Sequence, residues 1–490
     1  MASLQCLNAS KFNMRRYVVK FKASNSVSSN EEKKLRILIA GGGIGGLVLA
    51  LAAKNRGYDV KVFERDLRAV RGEGSHRGPI QLSSSALAVL QAIDQNVANR
   101  IMEAGCVTGD RINGVADGIS GQWFTKFDLL TPALKRGLPI TRTICRIELQ
   151  DILVNSVGYD ILSNKSKVVN FVEDSDKVTV ILEDGRQYDG DILVGADGIW
   201  SEVRMKLFGK QEARYSGYTC YSGITNIVPQ YINSVGYRVF IGLNQYFVAS
   251  DVGNGKMQWY AFYKQPPMKT DPPGGKLISK KLRKHKRLLE LFGHWCDEVV
   301  TLITKTMEDK ILGRDIYDRD MMSRWGVGRV TLLGDAAHPM QPNLGQGGCM
   351  AIEDCYQLVL ELDKIVKTGS EEIVSALTSY EKKRRFRVSI VHGASRMASK
   401  MLSTYRPYIE FGSGPISIVA SDDGTNTEDN KPYTSHSTRL VAVVFASVHD
   451  LDYSCSMAMG CGERGKEAVE VIISFCSANI CIKALEGQEN

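Results

Sequence analysis

The apolar and polar positions of this 490-residue chain repeat one arrangement three times. In residues 35–65, LRILIAGGGIGGLVLALAAKNRGYDVKVFER, an apolar run leads into a glycine-rich turn, a segment of helical character and a second apolar run. DGDILVGADGIWSEVR (residues 189–204) and residues 330–360 each place an apolar run, a Gly/Asp turn and a helix-like segment in that order. Short apolar runs bounded by glycine are typical of buried parallel strands. The pattern predicts an α/β fold with a doubly wound sheet.

The first of these units contains an uncharged stretch, Ile37–Ala53, that is close to the length needed to cross a bilayer. Its apolar residues are interrupted by the glycine-rich turn, and a charged segment follows directly. We therefore expect a strand, a turn and a helix here, and no transmembrane helix.

The glycine-rich turn fits the G-x-G-x-x-G pattern at Gly41, Gly43 and Gly46, with Gly45 inside it. The first glycine permits a tight turn, the second lets a pyrophosphate reach the backbone, and the third allows close helix–strand packing. Glu64 ends the following strand, where an acidic residue would accept hydrogen bonds from ribose hydroxyls. Because an acid there disfavours a 2′-phosphate, the pattern predicts FAD or NAD rather than NADP in this pocket.

The third unit contains the loop GDAAHPMQPNLGQGG (residues 334–348), which has four glycines and two prolines but no obvious nucleophile and no metal-ligand spacing. Three Gly/Asp-punctuated strand ends imply a ligand spread along the carboxyl edge of one sheet. A single NAD site needs only the first of them. The spacing therefore favours a larger dinucleotide, FAD.

The order of G-x-G-x-x-G, DG and GDAAHP resembles the FAD-dependent monooxygenases of the p-hydroxybenzoate hydroxylase type, over about residues 35–410. The resemblance implies a Rossmann-type FAD-binding domain interleaved with a mostly antiparallel β-sheet substrate domain, followed by C-terminal helices. It predicts a discontinuous FAD-binding domain (31–80, 140–205 and 314–365), a substrate domain (81–139 and 206–313), a C-terminal helical segment (366–417) and a tail (418–490).

The same resemblance implies roles for residues of the loop. Asp335 would bind the ribityl chain of FAD, and Pro342 would border the flavin ring. Gly345, Gly347 and Gly348 would present backbone N–H groups and a helix N-terminus to the pyrimidine end of the ring. Such a terminus stabilises the negative charge of reduced flavin by about 0.3–1 kcal/mol.

Residues outside the loop complete the expected cofactor site. By the resemblance, Asp197 of the DG motif lies near the FAD pyrophosphate, and Arg146, which opens RIELQDIL, contacts the cofactor. Arg65 directly follows the ribose-binding acid, and Arg77 lies in a loop that passes the flavin. Because the cofactor carries the chemistry, no side chain is predicted to be a catalytic acid or base, and no metal site is expected.

Several stretches outside the cofactor motifs resemble the plant zeaxanthin epoxidases; they are GEGSHRGPIQL (residues 72–82), EAGCVTGDRINGVADGISGQWFTKFD (103–128), YSGYTCYSGI (215–224), GKMQWYAFY (255–263) and LGQGGCMAIED (344–354). This resemblance implies epoxidation of the β-rings of zeaxanthin to antheraxanthin and violaxanthin through a flavin hydroperoxide. That reaction is a step of the xanthophyll cycle and of abscisic acid synthesis. It uses FAD, O₂ and NADPH, with ferredoxin as carrier, and implies a carotenoid substrate at the thylakoid membrane surface.

Two other functions remain open from the sequence. The loop reads GDAAHPMQPN, as in aromatic hydroxylases, whereas the epoxidases usually read closer to GDSIHAMQPN, so a salicylate-type hydroxylase is one alternative. Beyond about Ile416 the resemblance stops and the forkhead-associated domain of the epoxidases is missing from the given sequence, so a non-catalytic FAD-binding paralogue is another. The aromatic run MQWYAFY (Met257–Tyr263) predicts a strand that either faces a polyene or fills the core, and His338 is either a structural residue or a base.

Charge and cysteine content indicate where in the cell the protein acts. Residues 1–30 contain no acidic residue but five lysines and arginines and six serines, which is typical of an organellar transit peptide and agrees with a chloroplast enzyme. The eleven cysteines include no C-x-x-C pair, which indicates a reduced compartment. The basic run Lys280–Arg287 lacks interleaved aromatic residues, so we expect a solvated loop and no nucleic-acid partner.

Overall fold

The computed structural model describes residues 34–68, 78–227, 229–268, 284–365 and 372–404. The predicted transit peptide, Arg77 and the tail from residue 418 lie outside these ranges. The strands of the described ranges, in chain order, are β1 Arg36–Ala40, β2 Asp59–Phe63, β3 Ile80–Leu82, β4 Cys106–Val107, β5 Ile112–Asp117, β6 Trp123–Phe127, β7 Arg142–Ile144, β8 Leu162–Ser163, β9 Val168–Glu173, β10 Val178–Leu182, β11 Gln187–Gly190, β12 Ile192–Gly195, β13 Arg214–Thr225, β14 Val235–Gly242, β15 Gln245–Asp251, β16 Met257–Lys264, β17 Leu312–Asp318, β18 Gly326–Val327 and β19 Val330–Leu332.

A helix follows the turn in each of the three predicted units, and a long helix forms the C-terminal part of the described chain. They are α1 Ile44–Lys54, α2 Ser84–Ile93, α3 Gln95–Ala104, α4 Leu130–Lys135, α5 Arg146–Val157, α6 Glu202–Phe208, α7 Lys284–Phe292, α8 Asp297–Thr304, α9 Gly347–Ile365 and α10 Ile373–Thr404. No helix in these ranges is both long and apolar enough to span a membrane.

A six-stranded sheet has the order β18-β19-β12-β1-β2-β8. The neighbours from β19 to β8 are parallel, and only β18 runs antiparallel to β19. The apolar residues Ile37–Ala40 of β1 are fully buried because α1 packs in the same core. The chain leaves β1 towards β2 on one side and later adds β12 on the other, which makes the end of β1 a topological switch point.

A second sheet of seven strands has the order β17-β13-β16-β15-β14-β5-β6 and is antiparallel except for the β14–β5 pair. One face packs on helices α7 and α8 around Trp259 and Phe292, both fully buried. The other face joins the core of the parallel sheet through Tyr246 and Phe262. The predicted fold class, a doubly wound domain interleaved with a mostly antiparallel sheet and followed by C-terminal helices, is confirmed.

The basic run Lys280–Arg287 is not the loop that we expected in its described part. Lys284 begins α7, because Leu288, Leu291 and Phe292 form an apolar face that packs against the seven-stranded sheet. The predicted domain ranges stay a proposal. Within the predicted substrate segment, α2 and α3 share the core of the parallel sheet, whereas β5 and β6 belong to the seven-stranded sheet.

Candidate functional site: a dinucleotide cleft facing an aromatic sheet

The carboxyl ends of four adjacent parallel strands gather the predicted site residues at one edge. Glu64 follows β2, the glycine-rich turn follows β1, Asp197 lies beyond β12 and Asp335 lies beyond β19. In sheet order these strands are β2, β1, β12 and β19, so the four turns are neighbours in space. This is the place where open α/β sheets bind ligands.

The glycine-rich turn combines two crowded positions with one open position. A Cβ on Gly41, whose φ is +108°, would lie 2.4 Å from the carbonyl oxygen of Ala196, and one on Gly46 would lie 1.9 Å from that of Gly41. Among the residues that the structure describes, a Cβ on Gly43 would meet no atom within 4 Å beyond its chain neighbours. Gly41 and Gly46 are thus required by the protein's own packing, whereas the space beside Gly43 is left for something else.

Glu64 lies directly beside this turn and is 7% exposed. Its Oε2 accepts a hydrogen bond from the backbone N–H of Gly42 at 2.7 Å, and its Oε1 accepts one from Asp66 at 2.9 Å. These bonds fix the carboxylate at the end of β2 while each oxygen keeps a lone pair for a ribose hydroxyl. The next residue, Arg65, has an exposed side chain.

Asp197 organises the turn after β12. Its Oδ2 accepts hydrogen bonds from the backbone N–H groups of Glu202 at 2.8 Å and Val203 at 3.3 Å, at the start of α6. Ser201 caps the same helix through the N–H of Arg204. Burial raises the pKa of Asp197, although the hydrogen bonds to its carboxylate oppose this. The sequence pointed to a ligand contact for Asp197, and the structure adds a capping role.

Asp335 lies in the turn after β19 and opens into the cleft. Its side chain reaches solvent, yet protein surrounds it closely enough for burial to raise its pKa, against the effect of His338, Arg146 and Arg204. Both observations describe a group inside a deep crevice. A Cβ on Gly347 would lie 3.8 Å from Asp335 Oδ1, so the carboxylate is beside the N-terminus of α9.

The remaining loop residues lie around the same helix terminus. Pro342 and Gly345 are exposed, and Gly345 has a φ of +66° that favours glycine. Gly348 packs tightly, since a Cβ there would lie 2.3 Å from Cδ1 of Ile80. Gly45, in the first turn, packs in the same manner against Leu333.

Two buried arginines beside the cleft were not predicted from the sequence. Arg204 donates a hydrogen bond to the carbonyl of Ala336 at 2.8 Å and another to that of Ile199. Arg319 donates to Ile199 as well, at 3.0 Å. Burial, assisted by the positive charge of Arg319, lowers the pKa of Arg204 to about 10. These arginines join the turns after β12 and β19, and the only sequence signal was the arginine in SEVR.

His338 has a structural partner. Its Nε2 lies 2.6 Å from Oδ2 of Asp354, and the other oxygen of Asp354 accepts from Arg384 at 2.7 Å. Arg384 and Arg387 both bind Glu353 at 2.7–2.8 Å. All five side chains are buried. Asp354 also accepts from the N–H of Gly334, so this ionic network supports the loop from beneath.

The loop is also clamped from two sides. The side-chain oxygen of Asn343 accepts a hydrogen bond from the hydroxyl of Tyr246 on β15 at 2.6 Å. Its amide nitrogen donates to the carbonyl of Ser395 on α10 at 3.2 Å. Asn343 therefore links the cofactor loop to the seven-stranded sheet and to the last described helix.

The sheet face that meets this loop is aromatic. Tyr246 and Phe262 stack with ring centroids 4.2 Å apart and planes at 10°, and Tyr218 packs edge-on against Tyr246 at 5.6 Å. The hydroxyl of Tyr260 donates to the carbonyl of Pro79 at 3.0 Å. The hydroxyl of Tyr218 is buried without a hydrogen-bond partner in the described part of the chain.

The aromatic run Met257–Tyr263 is divided between the two faces of β16. Trp259 lies with Met257 and Ala261 in the core beneath α7 and α8. Tyr260 and Phe262 point the opposite way, towards the cofactor loop. The run is a strand whose alternate residues lie on opposite faces. The core interpretation holds for Trp259, and contact of Tyr260 and Phe262 with a polyene stays a prediction.

Comparison with known proteins places these features in a family. Residues 34–233 and 302–394 match the FAD binding domain family. The zeaxanthin epoxidase, chloroplastic, of Prunus armeniaca is 61% identical over 397 residues, which are 80% of this chain and 59% of that protein. That of Oryza sativa subsp. japonica is 61% identical over 392 residues, 79% of this chain and 58% of the relative. The chain thus spans less than two thirds of these relatives' length.

Solved structures agree on the fold. HpxO of Klebsiella pneumoniae complexed with FAD and uric acid has a TM-score of 0.66 and 26% identity, covering 77% of this chain and 90% of that one. A salicylate hydroxylase substrate complex has a TM-score of 0.66 and 20% identity, covering 88% and 100%. The family match covers more than half of this chain, and the cleft has the crowded and open glycines of a dinucleotide-binding turn. This chain belongs to the FAD binding domain family.

Proposed function

We propose that this protein is an FAD-dependent monooxygenase that epoxidises the β-rings of zeaxanthin to antheraxanthin and violaxanthin. The observation that carries the proposal is the aromatic sheet face fastened to the cofactor loop by the Tyr246–Asn343 hydrogen bond. The identity of about 60% to chloroplastic zeaxanthin epoxidases supports the substrate. Those relatives are longer, so the activity is proposed for the part that this chain shares with them.

The cleft fits FAD in the following way. The open space at Gly43 would receive the pyrophosphate near the N-terminus of α1, and Glu64 would bind the ribose of the adenosine half. Asp335 would bind the ribityl chain, with the exposed Pro342, Gly345 and the N-terminus of α9 at the flavin ring. The remaining proposed contacts are Gly41, Gly45, Gly46, Arg65, Arg77, Arg146, Asp197, Gly347 and Gly348. Bound FAD would supply the activation of O₂ that the side chains cannot.

The aromatic face would orient the other substrate. Tyr260, which is partly exposed, would offer a flat apolar surface to a conjugated ring. Tyr246 and Phe262, which are 3% and 4% exposed, would support it from within the core. The hydroxyl of Tyr218, which is buried and has no hydrogen-bond partner in the described part of the chain, would accept a hydrogen bond from the ring hydroxyl of zeaxanthin or donate one to it. Burial raises the pKa of both Tyr218 and Tyr246, so they act as neutral hydroxyls.

The surroundings of the reaction belong to the same proposal. The relatives are named chloroplastic, and we place this protein in the chloroplast. NADPH would supply the reducing equivalents by way of ferredoxin. Contact with the thylakoid surface would deliver the lipid-soluble carotenoid.

A second candidate is an aromatic hydroxylase of the salicylate type. The positive charges of Arg314 and Arg146 both lower the pKa of Tyr260, against the larger effect of burial, so two cations act on the aromatic face. Either would favour a substrate carboxylate there. The fold shared with a salicylate hydroxylase fits this candidate equally well. The substrate experiment must therefore offer both compounds.

We expect purified protein to become yellow with FAD and to convert zeaxanthin, supplied with O₂ and a ferredoxin reducing system, into mono- and diepoxide. Chromatography of the products is the measurement, since reductant consumption alone does not show oxygen transfer. Salicylate under the same conditions is the comparison, and hydroxylated salicylate without carotenoid epoxide would replace the first candidate by the second. Protein that stays colourless after incubation with FAD would contradict both.

Asp335→Asn tests the ribityl contact. Because burial raises the pKa of Asp335, its ionised form costs folding free energy above that pKa, and Asn removes the cost. We expect the FAD-free variant to be as stable as the parent or more so at pH 7, while FAD binds about tenfold or more weakly. Thermal unfolding and flavin fluorescence titration measure the two effects. Asp309→Asn, at an exposed acid beside Lys310, is the control and should change neither.

A further inference from the structure

A separate cavity of about 660 Å³ lies outside the cleft, between α5, the end of β13, the β15–β16 turn and the segment that follows α8. Its volume is within the range of small-molecule sites, about 300–1,000 Å³. Neither the cofactor assignment nor the aromatic face uses any of the residues that line it.

The floor of the cavity is apolar. Ile147 and Ile152 of α5 face Ile224 of β13 and Val252 at the end of β15, and Met307 completes the wall. Met307 is 62% exposed, although it is a large apolar side chain. Met307 therefore leaves apolar surface open at the wall of the cavity.

The rim is positively charged. Arg100, Lys256, Lys305 and Lys310 line the cavity, against the two acids Glu148 and Asp151. In the described part of the chain, neither Lys256 nor Lys305 forms an ion pair, and Lys310 lies 3.8 Å from Asp309 outside the lining. The lining therefore has cations in excess over an apolar floor.

We propose that this cavity binds a single-chain amphipathic anion, a long-chain carboxylate, with its chain on the isoleucine floor and its head between Lys256, Lys305 and Arg100. A neutral carotenoid would leave these cations without a counter-charge, and a bare inorganic anion would leave the apolar floor exposed. The combination of the two surfaces selects a ligand that has both parts. This site is independent of the proposed function, because it needs neither FAD nor turnover.

Isothermal titration of the whole chain with decanoate, below its micelle concentration, tests the proposal. We expect one molecule to bind, with decanol and inorganic phosphate each binding at least about tenfold more weakly, and with the decanoate affinity falling as salt is added. Decanol that binds as tightly as decanoate, or decanoate that does not bind, would overturn the site. Recruitment to phosphatidylglycerol vesicles without any decanoate binding would also overturn it, in favour of a membrane-docking surface.

Two variants locate the binding. The double substitution K256Q and K305Q should weaken the binding of decanoate by about tenfold or more while leaving the binding of decanol unchanged. Ile224→Asp should weaken the binding of both compounds. The pair K206Q and K382Q removes two exposed cations outside the cavity and is the matched control. Thermal unfolding and FAD titration of every variant show that the fold and the cleft are intact. Equal weakening by the control pair would mean non-specific charge attraction and would sink the assignment.

Discussion

Gly43→Ala is expected to leave the stability of the FAD-free protein unchanged and to weaken FAD binding by about tenfold or more. The reason is geometric, since among the described residues a Cβ at this position meets no atom within 4 Å beyond its chain neighbours, and Gly43 has an ordinary φ of −69°. The added methyl group would instead obstruct a ligand at the N-terminus of α1. Flavin fluorescence titration gives the affinity, and thermal unfolding without FAD gives the stability.

Gly46→Ala, three residues further along, is the matched substitution with the opposite result. Its Cβ would lie 1.9 Å from the carbonyl oxygen of Gly41, so the helix and the turn must move apart. Overpacking of this kind costs about 1–3 kcal/mol, and more where backbone is the obstacle. A Gly43→Ala protein that loses stability as Gly46→Ala does, or that binds FAD as tightly as the parent, would remove the case for a pyrophosphate at this turn.

Arg384→Ala is expected to lower the free energy of unfolding by about 3–5 kcal/mol, because it leaves a buried carboxylate without its counter-charge. Arg384 is 5% exposed and binds both Glu353 and Asp354, which are 3% and 0% exposed. Arg387 can still neutralise Glu353, but Asp354 keeps only its contacts with His338 and the N–H of Gly334. Chemical denaturation at pH 7 measures the loss.

Lys382→Ala is the control, since the neighbouring Lys382 lies on the same helix and is exposed. Substitutions of exposed side chains change stability by about 0.5 kcal/mol or less, so an equal loss in both variants would show that the helix, not the ionic network, is responsible.

The network also fixes the pH dependence of stability. Burial alone would raise the pKa of Glu353, but Arg387 and Arg384 outweigh it and hold that pKa below 4.5. The stabilisation of the fold by ionised Glu353 is therefore present above about pH 4.5, and it is lost as the pH falls through the lower pKa that Glu353 has in the folded state.

The fold was predictable because its signals are local. Gly41, Gly43 and Gly46 lie between a strand and a helix and identify the topological switch point of the sheet from sequence alone. In the same way, Asp335 marks the end of another parallel strand. What these residues touch could be inferred in part, since the need for glycine at 41 and 46 follows from the tight turn and the close packing.

The remainder of the site depends on contacts between distant parts of the chain. Arg204 meets the carbonyl of Ala336 across 132 residues, and Arg319 meets Ile199 across 120, so neither spacing leaves a pattern in the sequence. The two roles of the run Met257–Tyr263 had to wait for the structure as well. Alternation shows that its residues divide into two sets, but only the neighbouring helices and the cofactor loop decide which set is core.

The hydrogen bonds of Asn343 have a consequence for protein engineering. One side chain joins the loop that would hold FAD to β15 and to Ser395, late in α10. A shortened gene that stopped before Ser395 would keep every glycine of the dinucleotide fingerprint and still release one anchor of the ring-binding loop. The smallest useful fragment for flavin biochemistry must thus include α10 as far as Ser395 as well as the fingerprint.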